Sequence, residues 1–462
     1  MSTAPLVPQG WVLQAYRFAL DPDDEQTAML RSHCGAQRRA FNWGLAVVKA
    51  NLDQRAAQRS YGIVEDELTP PMNWSAYALR KRWNRVKQDV APWWRENSKE
   101  SYASGLANLA AALSNWSASR SGERGGPRAR FPRLESKRAP LSCRFTTGMF
   151  GLADADRRHV KLPRIGVVRT HESTRKLARH IARGTGRIRS ATVTFTRGRW
   201  FVSFCVEVER KAESVRRSAA VVGVDLGVRH LAVLSQPVAG VSDEHGMVAN
   251  PRRLDHAQRT LRRLQRQASR RRGPDKRTGA KPSKRWVRTN AEVTRLHGRV
   301  ANARGDGLHQ LTRALTSRFG TVVVEDLHVA GMLRNHRLAR RIADAGWGEL
   351  RRQLDYKTRW RGTDLLVASR WYPSSKTCST CGAVKAKLRL SDRVFGCDQC
   401  GLVLDRDHNA ARNLAALAAN IDDGASSPSC GATRNEPDGN PCKTSRAGSG
   451  YRHGKPHEGN AA

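Results

Sequence analysis

Hydrophobic residues change their spacing several times along the chain, and each change marks a new element. From Trp11 to Leu20 apolar and polar positions alternate, the period of a half-buried strand. Asp21-Pro22-Asp23-Asp24-Glu25 then supplies acidic capping material for a helix running through about Asn51. From Trp74 to Trp116 the apolar residues recur at three and four, as in Leu106, Leu109 and Leu113, which predicts a second helical region. Trp74, Trp83, Trp93, Trp94 and Trp116 concentrate there; core packing is the simpler reading, although the interleaved arginines would also suit stacking on bases. The Gly/Arg/Pro-rich stretch from Gly122 to Pro132 breaks the helical pattern, and beyond it the period becomes two. ATVTFT from Ala191 and WFVSFCVEV from Trp200, separated by Arg197-Gly198-Arg199, predict a hairpin inside a β-rich module from about Leu141 to Glu209.

The second half has a different grammar. VVGVDLGVRHLAVL from Val221 reads as a strand ending at an aspartate, a glycine turn and a returning strand. Leu254, Leu261 and Leu264 give a thin helical stripe, and a second helical run is marked by Val293, Leu296, Val300, Leu308, Leu311 and Leu315, interrupted by Gly305 and Gly307. The two runs predict a long helical hairpin. GTVVVEDL from Gly320 is an apolar strand ending in two acids; a helix around Glu349 to Arg361 and a strand from Thr363 to Trp371 follow. That order predicts a mixed α/β sheet. After about Asn420 the chain is rich in Gly, Ser, Pro, Asn and Asp with little to bury, so disorder is expected over 421–462.

Charge sharpens this picture. The 462 residues carry 82 Lys and Arg against 41 Asp and Glu, a formal net charge of +41, which condenses on polyanions. Between Arg252 and Arg288 stand 15 basic residues and two acids, Asp255 and Asp275; without a polyanion, self-repulsion would oppose folding of this run. A hydrophobic fraction of 39% argues against a wholly disordered basic protein, and stretches such as Ala219 to Val224 are too short to span a bilayer. The N-terminus has no basic segment followed by an apolar one, and five of the nine cysteines (Cys34, Cys143, Cys205, Cys430, Cys442) are scattered; the expectation is a cytoplasmic protein facing nucleic acid.

Two constellations carry chemistry. Cys378-x2-Cys381 and Cys397-x2-Cys400 lie fifteen residues apart, each pair followed by glycine, Gly382 and Gly401. That is four-cysteine zinc spacing, and four thiolates close the tetrahedron, so a structural rather than a catalytic ion is expected. The second constellation is acidic: Asp225 after VVGV, Glu325 after TVVV, and Asp405 or Asp407 beyond the cysteines. Carboxylates at the ends of adjacent strands, within a positive surround, suit Mg²⁺ ions shared with a substrate phosphate. Singly, each acid also reads as a turn former or helix cap, and Asp407 could cap a helix from His408 to Leu417. Gly454-Lys455 lacks the glycine and hydroxyl partners of a P-loop, and His230, His328 and His408 read as ordinary polar neighbours of the acids.

GVDLGVRHLAVLS, VVVEDL, SRWYPSSKTCSTCG and CDQCGLVLDRDHNAARNLAA together resemble the RuvC-like nuclease domain and inserted zinc ribbon of the TnpB (OrfB) proteins of insertion sequences, relatives of type V CRISPR effectors. YRFALDPDDEQTAMLRSHCGAQRRAFNWGL and FPRLESKR match that family's opening pattern, so the resemblance covers roughly residues 12 to 420. It implies an RNase H-like (RuvC) nuclease domain over 216–373 and 401–420, with a basic helical hairpin at 252–318 and a four-cysteine zinc ribbon at 374–400. It implies further a β-barrel-like wedge module over 1–20 and 133–215 and a helical recognition insertion over 21–132. The family's third aspartate stands directly before x-Asn-Ala-Ala-x-Asn, which selects Asp407 over Asp405, so Asp225, Glu325 and Asp407 become the expected ligands of two Mg²⁺ ions. The implied function is RNA-guided DNA endonuclease, with a guide RNA and a double-stranded target bearing an adjacent short motif as partners. Two other readings stand beside it: an RNA-guided DNA-binding regulator that does not cut, against which the intact acids argue, and a transposase or its accessory protein. The last ranks lowest, because the chain shows no tyrosine nucleophile set on a His-hydrophobe-His support.

Overall fold

The computed structural model describes residues 8, 10–137, 139–153, 156–210, 219–275, 277–389, 391–422 and 433–434. Two compact units emerge, Met1–Val215 with Arg252–Gly307, and Arg216–Pro251 with Leu308–Ala462.

The first unit opens with strand β1 (Trp11–Asp21) and helix α1 (Asp24–Ser60). Asp23 caps α1, its Oδ1 accepting the Gln26 amide at 2.7 Å while Gln26 Oε1 accepts the Asp23 amide at 3.3 Å. The helix continues past Asn51 for more than two turns. α2 (Ala76–Val90) and α3 (Lys99–Arg120) pack on it through Leu45, Leu79, Trp83, Leu106, Leu109 and Leu113, all buried. Trp83 stacks on Tyr102 with centroids 5.2 Å apart, while Trp74, Trp94 and Trp116 lie half-buried against the same core; Trp93 is more exposed. The tryptophans thus serve mainly as core.

Four short strands follow, β2 (Ser142–Phe145), β3 (Gly151–Leu152), β4 (His159–Leu162) and β5 (Gly166–Thr170), then α4 (Arg175–Ala182) and the long pair β6 (Gly186–Thr196) and β7 (Arg199–Glu209). They join β1 in one antiparallel sheet of order β2-β6-β7-β1-β5-β4-β3. The predicted hairpin is β6–β7, turning at Arg197 and Gly198, both at positive φ. β1 runs beside β7 from Trp11↔Glu209 to Leu20↔Trp200 and pairs on its other side with β5, so the first strand of the chain lies at the middle of a sheet whose other strands come after α1, α2 and α3. Helices α5 (Arg253–Ser269) and α6 (Lys284–Arg318) carry the basic maximum. α6 passes unbroken through Gly305 and Gly307, where an interruption is expected from the sequence. Helical glycine costs only about 1 kcal/mol each, and the burial of Leu308, Leu311 and Leu315 just beyond them outweighs it.

The second unit is built on a mixed sheet of order β10-β9-β8-β11-β12-β15, comprising β8 (Val221–Asp225), β9 (His230–Leu234), β10 (Met247–Ala249), β11 (Thr321–Glu325), β12 (Asp364–Ala368) and β15 (Thr433–Arg434). β8, β11 and β12 are parallel at its centre, and the flanking strands pair antiparallel. β12 stops at Ala368, short of Trp371. Both faces of the parallel strands are covered, which explains why their sequences are continuously apolar rather than alternating. Val222, Val224, Val322, Val324, Leu365 and Val367 pack with Leu311, Leu315, Trp347 and Leu350. Val323, Leu366 and Ala368 pack with Leu414 and Ala418. The remaining elements are α7 (Val329–Met332), α8 (Ala339–Ala345), α9 (Trp347–Arg361), the hairpin β13 (Val394–Gly396) and β14 (Val403–Asp405), and α10 (Arg406–Asp422). Apart from α10 and β15, the expected disordered tail lies outside the described residues. No described helix is long and apolar enough to cross a membrane.

Candidate active site and metal centre

β8 and β11 run parallel in register, Val224 opposite Val324, so Asp225 and Glu325 stand side by side where the two strands end. The third acid comes from α10, which lies on the sheet at a distance only glycine permits. A Cβ on Gly223 would stand 1.9 Å from the Ala411 carbonyl oxygen and 2.6 Å from the Ala415 nitrogen. The first turn of this helix carries Asp407. Asp405 is occupied otherwise: its Oδ1 accepts the amides of Asp407 at 2.9 Å and His408 at 3.2 Å, capping α10 and leaving Asp407 free of that duty.

The three carboxylates feel one another. Burial first, then the charges of Glu325 and Asp407, push the Asp225 carboxyl well above its ordinary range. Glu325 is raised too, chiefly by burial and then by Asp407, against the opposing effects of a hydrogen bond from Ser374 and the charge of Arg406. Arg393 Nη1 lies 4.0 Å from Asp407 Oδ2. Beside Glu325, Asp326 is tied down by two guanidinium groups, Arg351 Nη1 at 2.5 Å and Arg370 Nη2 at 2.7 Å, which together hold its carboxyl below the usual range. Such a pair of arginines fixes the end of β11 without touching the neighbouring acid. Buried carboxylates that raise one another's proton affinity form a group that could hold a divalent cation.

The four cysteines form a tighter cluster. Among the described residues they are the one group of three or more His, Cys, Asp or Glu side chains whose ligand atoms all lie within 4.8 Å of one another. Cys378 Sγ is 3.5 Å from Cys400 Sγ, and Cys381 Sγ is 3.5 Å from Cys397 Sγ. A tetrahedron with metal–sulfur bonds of about 2.3 Å has edges of roughly 3.8 Å, so the set fits a metal ion with no open position. The amides of Cys400 and Gln399 point at Cys397 and hold its thiol at about 6, thiolate at neutral pH. Gly382 and Gly401 take the positive φ, 77° and 74°, that turns each knuckle. Replacing Cys378 by serine is expected to release the metal and lower the melting temperature of the second unit, measured by metal content and calorimetry on the same sample.

Elsewhere the structure presents basic surface. Arg259, Arg262, Arg263, Arg266 and Arg270 lie at helical spacing along one groove of α5, which buries only Leu261 and Leu264. A cleft of about 700 Å³ brings Arg263, Arg295 and Arg299 of α5 and α6 opposite Arg17, Arg199 and Phe201 of the sheet in the first unit. His408, adjacent to Asp407, is half-buried, and its ring is harder to protonate than usual, first because of burial and then because of Arg412. Ser374 and Gly223 stand inside motifs the sequence singles out, but a serine and a glycine carry no spacing signal that would announce their contacts, Ser374 with Glu325 and Gly223 with α10.

A mixed sheet that gathers acids at one end, beside a four-cysteine knuckle and on a chain of this charge, defines a protein that processes nucleic acid. Three family models match: "Cas12f1-like, TNB domain" over residues 347–414, "Probable transposase" over 203–336 and "Helix-turn-helix domain" over 12–56. In the structure residues 12–56 form most of β1 and one unbroken stretch of α1 rather than two helices. A Mycobacterium tuberculosis (strain CDC 1551 / Oshkosh) protein named "Putative RNA-guided DNA endonuclease" is 42% identical over 88% of this chain and 87% of its own. An Escherichia coli (strain K12) protein of the same name, InsQ, is 31% identical over 87% and 92%. The CRISPR-associated endodeoxyribonuclease Cas12f1 of Sulfoacidibacillus thermotolerans is 25% identical over 47% of this chain and 50% of its own. Among solved structures, a Cas12f1–sgRNA–target DNA complex aligns with a TM-score of 0.49 at 12% identity, covering 88% of this chain and 99% of that one. The chain belongs to the TnpB (OrfB) family of RNA-guided DNA endonucleases, related to type V CRISPR effectors.

Proposed function

We propose that this family member cuts double-stranded DNA chosen by a bound guide RNA, with Asp225, Glu325 and Asp407 holding two Mg²⁺ ions in an RNase H-like (RuvC) nuclease domain. The observation that carries the reading is the convergence of one acid from each of two parallel strands and a third from a helix that glycine alone lets approach. When bound, the cations supply an activated water and stabilise the leaving 3′ oxygen of the phosphodiester. The chain's own part is positional. Asp225 and Glu325 are set by the strand ends, Asp407 by a capped helix, and the Asp326–Arg351–Arg370 group keeps β11 from fraying at its catalytic end.

The arginine face of α5 and the adjoining cleft suit the phosphates of an RNA–DNA heteroduplex, with sequence choice delegated to base pairing. In this reading 1–20 and 133–215 form the wedge-like module, 21–132 the recognition insertion, and 374–400 a ribbon whose four thiolates hold a structural zinc outside the chemistry. Purification with the native flanking locus, extraction of bound nucleic acid, and challenge with a plasmid library in Mg²⁺ and in EDTA tests it. Bound RNA with Mg²⁺-dependent cutting is the expected result and yields the adjacent duplex motif. Bound RNA without cutting would leave a regulator in its place, and protein free of RNA would overturn the guided reading altogether.

A further inference from the structure

Between the first cysteine knuckle and the second acid runs a short ladder of buried hydrogen bonds. Ser374, 4% exposed, donates its Oγ to Glu325 Oε1 at 2.8 Å. The Ser374 carbonyl in turn accepts Asn413 Nδ2 at 2.7 Å, and the same amide reaches the Thr377 carbonyl at 2.6 Å. One turn earlier on α10, Asn409 Nδ2 donates to Thr377 O at 2.7 Å while its Oδ1 accepts the Ser379 amide at 3.0 Å. Thr377 and Ser379 flank Cys378. Both asparagines are buried, and they make these bonds in a setting where an unmade hydrogen bond is costly.

The consequence for Glu325 is specific. A carboxylate at a strand end turns freely about its side-chain bonds unless something holds one oxygen. Ser374 holds Oε1, and its own place is set from below by α10, the helix that carries Asp407, and from the side by the knuckle that carries Cys378. We propose that Ser374 is a positioning residue for Glu325, and that Asn409 and Asn413 make the folding of the first cysteine knuckle and the orientation of the second acid a single event. The inference rests on the reading of Glu325 as a cation ligand. It assigns the cysteine module a duty beyond its own stability: setting the aim of a carboxylate it does not contain.

The test uses the full chain with its co-purified RNA and Mn²⁺ as the probe, followed by electron paramagnetic resonance, with zinc content measured on the same samples. Ser374→Ala is expected to keep its zinc and RNA and to bind Mn²⁺ about tenfold more weakly, the usual loss when a group orienting a metal ligand is removed. Wild-type Mn²⁺ affinity in that variant would overturn the proposal and leave the cation site standing. Wild-type protein that binds no Mn²⁺ would remove the cation site itself, and the proposal with it. Should the alanine variant fail to fold, Ser374→Cys keeps the side-chain volume with only a weak S–H donor. The same weakening with zinc retained supports the proposal, and unchanged affinity overturns it.

Discussion

Gly223→Ala is expected to reduce DNA cleavage by about a hundredfold or more while leaving RNA binding in place. The added methyl would sit 1.9 Å from the Ala411 carbonyl oxygen, backbone on both sides, so no side-chain rotation relieves it. α10 must lift or slide. Overpacking of this kind costs about 1–3 kcal/mol of stability, which a unit with two covered sheet faces can absorb. Cleavage by the proposed site cannot, because Asp407 rides on the same helix, and a misplacement of about 1 Å at a reacting centre costs on the order of 10² in rate. Cleavage kinetics and a thermal melt on one preparation separate the two effects. A variant that melts like wild type and cuts like wild type would show that α10 does not have to lie where it does.

Asp225→Asn is expected to abolish cleavage and, in the absence of divalent cations, to raise the melting temperature. The two effects have one cause. Burial and the neighbouring charges of Glu325 and Asp407 raise the Asp225 carboxyl above its ordinary value of 3.8, so the folded state holds its proton more tightly than the unfolded chain does. The stability this contributes is full below 3.8 and is lost as pH rises through the raised value, so this carboxyl leaves the metal-free fold less stable above that value than below it. Asparagine removes a like charge at nearly constant volume. Each kcal/mol relieved lifts the melting temperature by about 2–4 °C in a unit of this size. Melts at several pH values, with EDTA and with Mg²⁺, check the sign: wild type should gain from Mg²⁺ and the variant should gain little. A lower metal-free melting temperature in the variant would show that Asp225 is satisfied without a cation.

Much of this was legible in the chain. The runs at Val221 and Thr321 announce parallel strands because burial on both faces leaves no room for alternation, and the acid that ends each run stands out against it. The cysteine spacing declares its cluster outright. The choice between Asp405 and Asp407 was open to spacing alone; in the structure Asp405 caps α10 by accepting the amides of Asp407 and His408. What stayed hidden was of two kinds. Gly305 and Gly307 read as an interruption because local propensity does not see Leu308, Leu311 and Leu315 buried just beyond them. Ser374, Asn409 and Asn413 carry no periodicity, and their meaning exists only once α10 and the loop before Cys378 are packed together. The strands β10 and β15 are two or three residues long, and edge pairing rather than sequence makes them.

The placement of the cysteine hairpin along the chain has an entropic consequence. Between the end of β12 at Ala368 and the start of α10 at Arg406 the polypeptide makes a long excursion, residues 369–405, before returning its third acid to the sheet. Ordering that return requires closing the whole loop. Once a metal joins the four thiolates, the segment between Cys378 and Cys400 no longer counts toward closure, and only the flanks 369–377 and 401–405 remain to be ordered. The saving is about 1 kcal/mol on a chain-statistics basis. An ion held by the four thiolates would thereby shorten the path by which α10, with Asp407 in its first turn, returns to the sheet.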